Sequence, residues 1–358
     1  MNGRIQPHAL ATAEDGANWR QLGFVLLSLR FVQGWIYWGG GSRRFIYAPA
    51  KLDPNAHSWM ANKLQTAMPG AVLGMGRVVD YLLHHFTLLY AGLILISAAE
   101  LIFGLFLLLG FMTRLSALVT IALSIMLMLL FGWQGATCID EWTMASANFG
   151  MGVVLWLGGA GAVSIDAWLL ARHPKLADRR WFQWFGSGPW SLQRLRQWSV
   201  LGAVATVLFV GLTYNYYRGS VLTPFHGGPV SPAVHHIRLS AGQLHANGAV
   251  RFTAYLDAGT PAAPANVVHA ALLDSSGGPV EQWNSAVLAA LSPSAFVNEY
   301  AYNRFEPGYA GITAQVGARA KITLPPTHPG LHLPAADYRL VLHSVNGQTF
   351  TLALSLRE

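Results

Sequence analysis

Charged residues are few in this 358-residue sequence, in which Asp, Glu, Lys and Arg together make up 11% of the residues. Soluble proteins carry about 25% charged residues, so the deficit argues against a soluble cytosolic enzyme. Cysteine is nearly absent too, and one thiol excludes an internal disulfide, a four-cysteine zinc site and a covalent CxxCH haem. The sequence also lacks a phosphate-binding loop and any haem or iron–sulfur motif. It therefore gives no sign of a resident cofactor.

Apolar residues are in excess, since they form 53% of the sequence and gather in five long runs. The runs cover residues 22–38, 86–111, 115–131, 144–163 and 200–213. A helix needs about 20 apolar residues to cross the hydrocarbon core of a membrane, and the first four runs reach that length alone or with their flanks. Aromatic residues typical of the membrane interface flank the shorter fifth run. We predict an all-α membrane four-helix bundle over 22–165 and a fifth anchoring helix over 200–217.

Lysine and arginine indicate the orientation of these helices. The connector 166–199 carries six Lys and Arg residues against two Asp, and cytoplasmic segments are enriched in Lys and Arg. We therefore predict an inner-membrane, multi-pass protein whose residues 1–21 and connector are cytoplasmic. The loop 39–85 then lies on the periplasmic side, although it carries five basic residues. In so apolar a chain the net charge of +7 points to membrane orientation and not to nucleic acid.

The last third of the sequence has a different pattern. After a linker over 218–233, residues 234–358 are rich in Pro and Gly and contain short alternating runs. The predicted strands are 250–256, 267–273, 320–324, 338–342 and 349–354. Asn346-Gly347, between the last two, is typical of a tight hairpin. We predict an antiparallel all-β sandwich, outside the cytoplasm because it follows the fifth helix.

Two charged residues lie inside the predicted membrane helices, Arg30 in the first and Glu100 in the second. Burying either alone is costly, so such residues pair or line a cavity. Counted from the run ends, their depths differ by about 4–5 Å at 1.5 Å per residue, which predicts that they can pair. Glu100 is a candidate catalytic proton donor and Arg30 a candidate substrate contact. The alternative is a structural ion pair that fixes helix register.

The single cysteine, Cys138, lies in the predicted outer loop between the third and fourth helices, just before Asp140, Glu141 and Trp142. A thiolate there could form a covalent adduct with a sulfur substrate, and the two carboxylates could accept protons. Cys138, Asp140 and Glu141 are therefore candidate catalytic residues, and Trp142 is a candidate substrate contact. The alternative is an inert small residue packed at a helix start.

Two adjacent arginines follow the glycine run at the end of the first helix. Guanidinium groups bind oxyanions through paired hydrogen bonds, so Arg43 and Arg44 are candidate binding residues for a dianion, with Trp38 beside them. The alternatives are phospholipid headgroup binding for the arginines and an interfacial position for Trp38. The adjacent histidine pairs at 84–85 and 235–236 lack a third ligand in sequence, so no metal site is predicted.

A family resemblance is carried by the second helix and the turn after it. Residues 100–104 read Glu-Leu-Ile-Phe-Gly and residues 107–114 read Leu-Leu-Leu-Gly-Phe-Met-Thr-Arg, which resembles the central motif of DoxX/DoxD-like membrane proteins. Arg30 and the glycines that end the first helix also fit the family pattern. Arg43 or Arg44 stands where the family usually has a lysine.

Two further features make the resemblance more specific. The stretch 138–142 and the long loop before the second helix are closer to DoxD than to generic DoxX. Residues from about 200 to 358 resemble DoxA, which has one membrane anchor and an outer β domain. The order of the two parts resembles a fused DoxD/DoxA thiosulfate:quinone oxidoreductase of acidophilic sulfur oxidisers.

The resemblance implies that two thiosulfate ions are oxidised to tetrathionate and two electrons pass to a membrane quinone, which is a substrate and not a bound cofactor. The implied partners are membrane lipid, the quinone pool and thiosulfate, with a homo-oligomer or a complex with a terminal oxidase left open. One alternative is a non-catalytic accessory or scaffold subunit of a terminal quinol oxidase. Another is a small-anion carrier that uses Arg30 and Glu100 as a gated path.

Overall fold

A computed structural model describes residues 21–47, 49–56, 58–135, 140–219, 222, 228–328 and 330–356. Two kinds of architecture follow one another along the chain: helices first, then strands. The α-helices are α1 Leu27–Ser42, α2 Met60–Ala67, α3 Met75–His84, α4 Phe86–Leu109, α5 Thr113–Phe131, α6 Glu141–Gly158, α7 Ile165–Arg172, α8 Arg180–Phe185, α9 Leu192–Tyr217 and α10 Ser285–Ala289. Each of the five apolar runs contains a helix, as predicted, although the fourth run is helical only as far as Gly158.

Among the described residues, three helices are long and apolar enough to cross a membrane, namely α4, α5 and α9. The other two predicted spans fall short of that standard for different reasons. Helix α1 has 16 residues, and α6 begins with a glutamate and carries a buried asparagine in its middle. Length and apolarity by themselves therefore support three spans and not five.

Glycines allow α1 and α4 to approach at backbone distance. A Cβ atom on Gly41 would lie 2.4 Å from the backbone nitrogen of Leu101, and one on Gly104 would lie 2.2 Å from that of Trp38. Real Cβ atoms essentially never come closer than 3.0 Å to such atoms. The small residues are thus required for this helix pair, in the way that glycine promotes close packing of membrane helices.

The turn between α4 and α5 is held by a buried carboxylate. Asp166, at the start of α7, accepts hydrogen bonds from the backbone N–H groups of Met112 at 2.9 Å and Thr113 at 3.2 Å. The hydroxyl of Ser187 donates to the same carboxylate at 2.6 Å. Asp166 therefore satisfies N–H groups at the start of α5 that have no partner within the helix.

Buried Arg114 attaches the connector to the helices. Its Nη1 atom donates to the carbonyls of Gln183 and Gly188, both at 2.6 Å, and its Nε atom donates to the carbonyl of Trp156 at 2.9 Å. Its guanidinium carbon lies 4.1 Å from the ring centre of Trp190, within cation–π range. The family motif around residues 110–114 thus acts as a structural junction in this chain.

The C-terminal strands form two antiparallel sheets. Their bounds are β1 His236–Leu244, β2 Val250–Ala258, β3 Ala265–Leu273, β4 Pro279–Trp283, β5 Phe296–Asn298, β6 Phe305–Gly308, β7 Gly311–Ala314, β8 Arg319–Leu324, β9 Asp337–Ser344 and β10 Thr349–Ser355. One sheet has the order β1-β2-β8-β5, and the other has β10-β9-β3-β7-β6 with β4 also paired to β3. All-β architecture in this region is as predicted.

The five predicted strands are all present and correspond to β2, β3, β8, β9 and β10. The hairpin at Asn346-Gly347 is confirmed, because Gly347 has a φ of +78° and Thr349 pairs with His343 across the turn. Strand β1 is not among the predicted strands, and its alternation is interrupted by a register shift at which Ala241 has a φ of +50°.

The described chain divides into two compact units, and the second contains more than the strands. It combines residues 60–86 and 133–135 with 228–356. Gln65 of α2 is fully buried there, and its amide donates to the carbonyls of Asn303 and Gly317 at 3.0 and 2.9 Å. Trp133 donates its indole N–H to the carbonyl of Ala67 at 3.0 Å. Part of the loop predicted over 39–85 is therefore a structural element of the β unit.

Candidate functional site: an arginine–glutamate pair among the membrane helices

Arg44 and Glu100 form an ion pair between the turn after α1 and the middle of α4. Nη1 of Arg44 donates to Oε2 of Glu100 at 2.6 Å, and the two side chains are 15% and 16% exposed. The same nitrogen lies 3.5 Å from the hydroxyl of buried Ser97, one turn before Glu100 on α4. Charged side chains among apolar helices are costly to bury, so this partly exposed pair is a candidate functional site.

Local structure explains why these two residues meet. The backbone of α1 continues into a π-helical turn over Arg43–Tyr47, and such turns often occur at functional sites. Gly40 lies opposite Glu100, and a Cβ atom there would come within 2.7 Å of Oε2 of Glu100. The glycine therefore leaves the space that the carboxylate occupies, while the close α1–α4 contact holds both helices in register.

A second cation interacts with the carboxylate of Glu100. Lys51, on the 3-10 turn Pro49–Leu52, interacts electrostatically with Glu100. Two cations therefore face one carboxylate at the end of α1. This surplus of positive charge suits an anion or a polarised carbonyl oxygen as an additional ligand.

The predicted pairing of Arg30 with Glu100 is wrong. Arg30 donates through Nη1 to the carbonyl of Ala160 at 2.8 Å and through Nη2 to that of Val163 at 2.7 Å. The Arg30 guanidinium lies beside Gly110, because a Cβ atom on Gly110 would come within 2.8 Å of Nη1. Gly110 is ten residues beyond Glu100, about 15 Å along a helix, so counting depth from the ends of the apolar runs misplaced α1 against α4.

The contacts of Asp140 at the start of α6 are those of a residue that positions helices. Its carboxylate caps the helix by accepting the N–H of Thr143 at 2.9 Å, and it forms a buried ion pair with Arg218. Trp142 donates its indole N–H to the hydroxyl of Thr213 on α9 at 3.0 Å. Glu141 lies in the first turn of α6. These contacts tie α6 to α9, so the geometry of Asp140 and Trp142 favours helix positioning.

The remaining predicted residues are not gathered around the ion pair by any described contact. Arg43 is exposed, and Trp38 packs against Trp35 with ring centres 5.1 Å apart. Cys138 lies outside the described residues, and its role stays a prediction.

Sequence reasoning singled out Arg44 and Glu100 separately but missed three residues that belong with them. They are Gly40, Ser97 and Lys51. The spacing of Ser97 three residues before Glu100 was a usable signal, because residues three apart share a helix face. The proximity of Lys51 had no signal in the sequence, since it depends on how the chain turns after α1.

The fold and this pair define a class: a membrane protein with an apolar helical region, an arginine–carboxylate pair beside a helix long and apolar enough to cross a membrane, and a C-terminal antiparallel β domain. Comparison with protein-family models agrees along nearly the whole chain. The family described as "TQO small subunit DoxD" matches residues 25–192, and "TQO small subunit DoxA" matches residues 217–352. The chain belongs to the DoxD/DoxA family of thiosulfate:quinone oxidoreductase subunits, with both parts fused in one polypeptide.

Proposed function

We propose that this chain oxidises thiosulfate on the periplasmic side of the inner membrane and reduces a quinone from the lipid phase. The overall reaction takes two thiosulfate ions, one quinone and two protons to one tetrathionate and one quinol. Two electrons leave the sulfur atoms as the new S–S bond forms, and both arrive on the quinone. The observation that carries the proposal is the Arg44–Glu100 pair in a chain that belongs to this family.

Arg44 and Glu100 have the chemistry that quinone reduction requires. A quinone oxygen gains negative charge as electrons arrive, and a guanidinium stabilises that charge through hydrogen bonds. A protonated carboxyl group beside it can then deliver one of the two protons. The pair's partial exposure supports access for a ring entering from the lipid. In this scheme Arg44 binds the quinone oxygen and Glu100 protonates it.

Thiosulfate is a dianion, so its binding calls for cations near the aqueous surface. Arg43 is the first residue of the turn that carries Arg44, and Lys51 lies on the next turn of the chain. We propose that these side chains collect the anion and bring it close to the quinone. The electron path from sulfur to quinone is then short and needs no resident redox group.

The composition of the second unit supports the proposed topology. Residues 60–86 lie between α1 and α4, residues 133–135 follow α5, and both belong to the same compact unit as the strands. Segments of one folded unit lie on one side of a membrane. The basic connector with its six Lys and Arg residues favours the cytoplasm, so the unit belongs on the opposite, periplasmic side. This topology requires α6 to cross the membrane in addition to α4, α5 and α9, and we propose α1 as the fifth span.

Cys138 offers a covalent route for the sulfur chemistry. Its thiolate and one thiosulfate lose two electrons to the quinone, which takes up two protons, and a cysteinyl S-thiosulfonate forms. A second thiosulfate then attacks the sulfane sulfur, tetrathionate leaves and the thiolate is restored. Atoms and charge balance in both steps. Full thiosulfate-dependent activity in Cys138→Ser would exclude this route and leave direct transfer.

Purified full-length protein in detergent tests the proposal through thiosulfate-dependent reduction of decyl-ubiquinone, with tetrathionate measured as product. We expect Glu100→Gln to lower kcat by about 10²-fold or more, the usual effect of losing a general acid, and Arg44→Lys to retain part of the activity. Arg179→Gln, which removes an exposed arginine of the connector, is the control. Unchanged turnover in Glu100→Gln would remove the carboxyl from the mechanism. If the purified chain does not reduce quinone but restores the activity of a terminal quinol oxidase, the result would support the accessory-subunit alternative.

A further inference from the structure

A second cluster of ionisable side chains lies in the β unit. Asp80 and His84 occupy one face of α3, four residues apart, and Glu299 follows directly after β5. One potential ligand atom from each of the three lies within 4.8 Å of the other two. The sequence alone could not bring them together, because more than 200 residues separate the helix from the strand.

The imidazole of His84 is oriented for coordination. Its Nδ1 atom lies 2.8 Å from the carbonyl oxygen of Asp80, so that nitrogen carries the proton and donates it. In the neutral imidazole Nε2 then has the lone pair, and it lies 3.9 Å from Oε1 of Glu299. Metal-binding histidines are commonly held in this way, with the second ring nitrogen bonded to a backbone carbonyl.

Both carboxylates are also held by a neighbour. The buried hydroxyl of Tyr300 donates a hydrogen bond to Oδ1 of Asp80. Nη1 of Arg319 donates to Oε1 of Glu299 at 3.0 Å. Within the part of the chain that the structure describes, Oδ2 of Asp80 and Oε2 of Glu299 accept no hydrogen bond, and two carboxylates face one arginine.

We propose that Asp80, His84 and Glu299 form a binding site for a divalent transition metal, for which Zn²⁺ is the best match. One imidazole and two carboxylates are ligands that Zn²⁺ accepts, with bonds of about 2.0–2.2 Å. His84 and Glu299 are exposed, so their side chains can close the remaining gap. Water completes the coordination. A bound ion would fasten α3 to the β5–β8 edge inside the second unit.

The test uses full-length protein in detergent, free of affinity tags and stripped with a chelator, dialysed against Zn²⁺ at pH 7 and assayed for bound metal. We expect one tightly bound Zn²⁺ per chain, with affinity at least tenfold weaker in His84→Gln and in Glu299→Gln. The matched control is His85→Gln, because this exposed neighbour has the same kind of bond, from Nδ1 to the carbonyl of Tyr81 at 2.7 Å. Its affinity should equal that of the wild type.

Visible absorption of the Co²⁺-loaded protein provides a direct readout of coordination. We expect ligand-field bands in the wild type and in His85→Gln, and their loss in His84→Gln and Glu299→Gln. Melting temperatures without metal establish that each variant is folded, and the two ligand variants can be judged separately. Equal binding by the wild type and a folded His84→Gln, or equal loss in His85→Gln, would overturn the proposal.

Discussion

Replacing Gly104 by alanine is the most informative test of how the Arg44–Glu100 pair is positioned. The new Cβ atom would lie 2.2 Å from the backbone nitrogen of Trp38. Ordinary contact begins at 3.4 Å, so the gap must widen by about 1.2 Å. Backbone atoms on α1 cannot rotate aside as a flexible side chain would, and the two helices must therefore separate or shift.

The magnitude follows from the geometry. Overpacking a close contact costs about 1–3 kcal/mol, and occasionally more. A separation of about 1.2 Å would lengthen the 2.6 Å contact between Arg44 and Glu100 beyond the 3.5 Å at which a hydrogen bond is counted. Glu100 lies one turn from Gly104 on the same helix, so a shift of α4 against α1 at Gly104 also moves Glu100 relative to Arg44. Both stability and quinone reduction should fall.

Gly92 supplies the matched control on the same helix. A Cβ atom there meets nothing within 4 Å, and alanine is favoured over glycine inside a helix by about 0.5–1 kcal/mol. We expect Gly92→Ala to be neutral or slightly stabilising and Gly104→Ala to be destabilising. The measurements are the melting temperature of the detergent-solubilised protein and its rate of thiosulfate-dependent quinone reduction.

The result that would refute this reasoning is a Gly104→Ala protein with the melting temperature and turnover of Gly92→Ala. Such an outcome would mean that α1 and α4 do not approach at backbone distance. A protein that is destabilised but retains full turnover would be equally instructive, because it would keep the helix contact and separate the Arg44–Glu100 geometry from catalysis.

Three further predictions concern other parts of the chain. Arg114→Met should destabilise the protein by about 3 kcal/mol or more, since several buried carbonyls lose a charged donor; a melting temperature within error of the wild type would contradict this. Asp140→Ala should cost about 1–2 kcal/mol more than Asp140→Asn, because both variants leave Arg218 without its carboxylate but only alanine also removes the helix cap; thermal unfolding compares the two variants. The hydroxyl of Ser276 and neighbouring backbone N–H groups hold the pKa of Asp274 below its usual range. The ionised form therefore stabilises the fold above the unfolded-state pKa and the effect is lost as pH falls through the lowered pKa, so the melting-temperature difference between wild type and Asp274→Asn should shrink from pH 6 to pH 2.

Local pattern was enough to predict the elements of this protein. Five apolar runs predicted five helices, and alternating residues predicted strands β2, β3, β8, β9 and β10. Helical and strand periodicities depend on near neighbours in the chain, so they can be read without knowing the fold. The strands that were missed are three to five residues long or, like β1, interrupted by a bulge, which leaves too few residues to establish a period.

The ion-pair partner of each charged residue could not be predicted from local pattern. Arg30 and Arg44 both lie on the helical segment that starts the described chain, and either could have faced Glu100. The choice depends on the relative axial position of α1 and α4, which Gly41 and Gly104 set through backbone contact. The attraction between an arginine and a carboxylate becomes strong only when packing has placed the two groups within a few ångströms, so it cannot by itself select the partner.

The sequence by itself determined that this is an apolar, charge-poor helical protein with an all-β tail, and it carried the family resemblance along most of the chain. Only the tertiary structure decided which arginine meets Glu100, that residues 60–86 belong with the strands, and that His84 lies beside Glu299. The physical reason is distance along the chain. Propensity and periodicity act over a few residues, whereas these contacts join segments tens to hundreds of residues apart and arise only when whole surfaces pack.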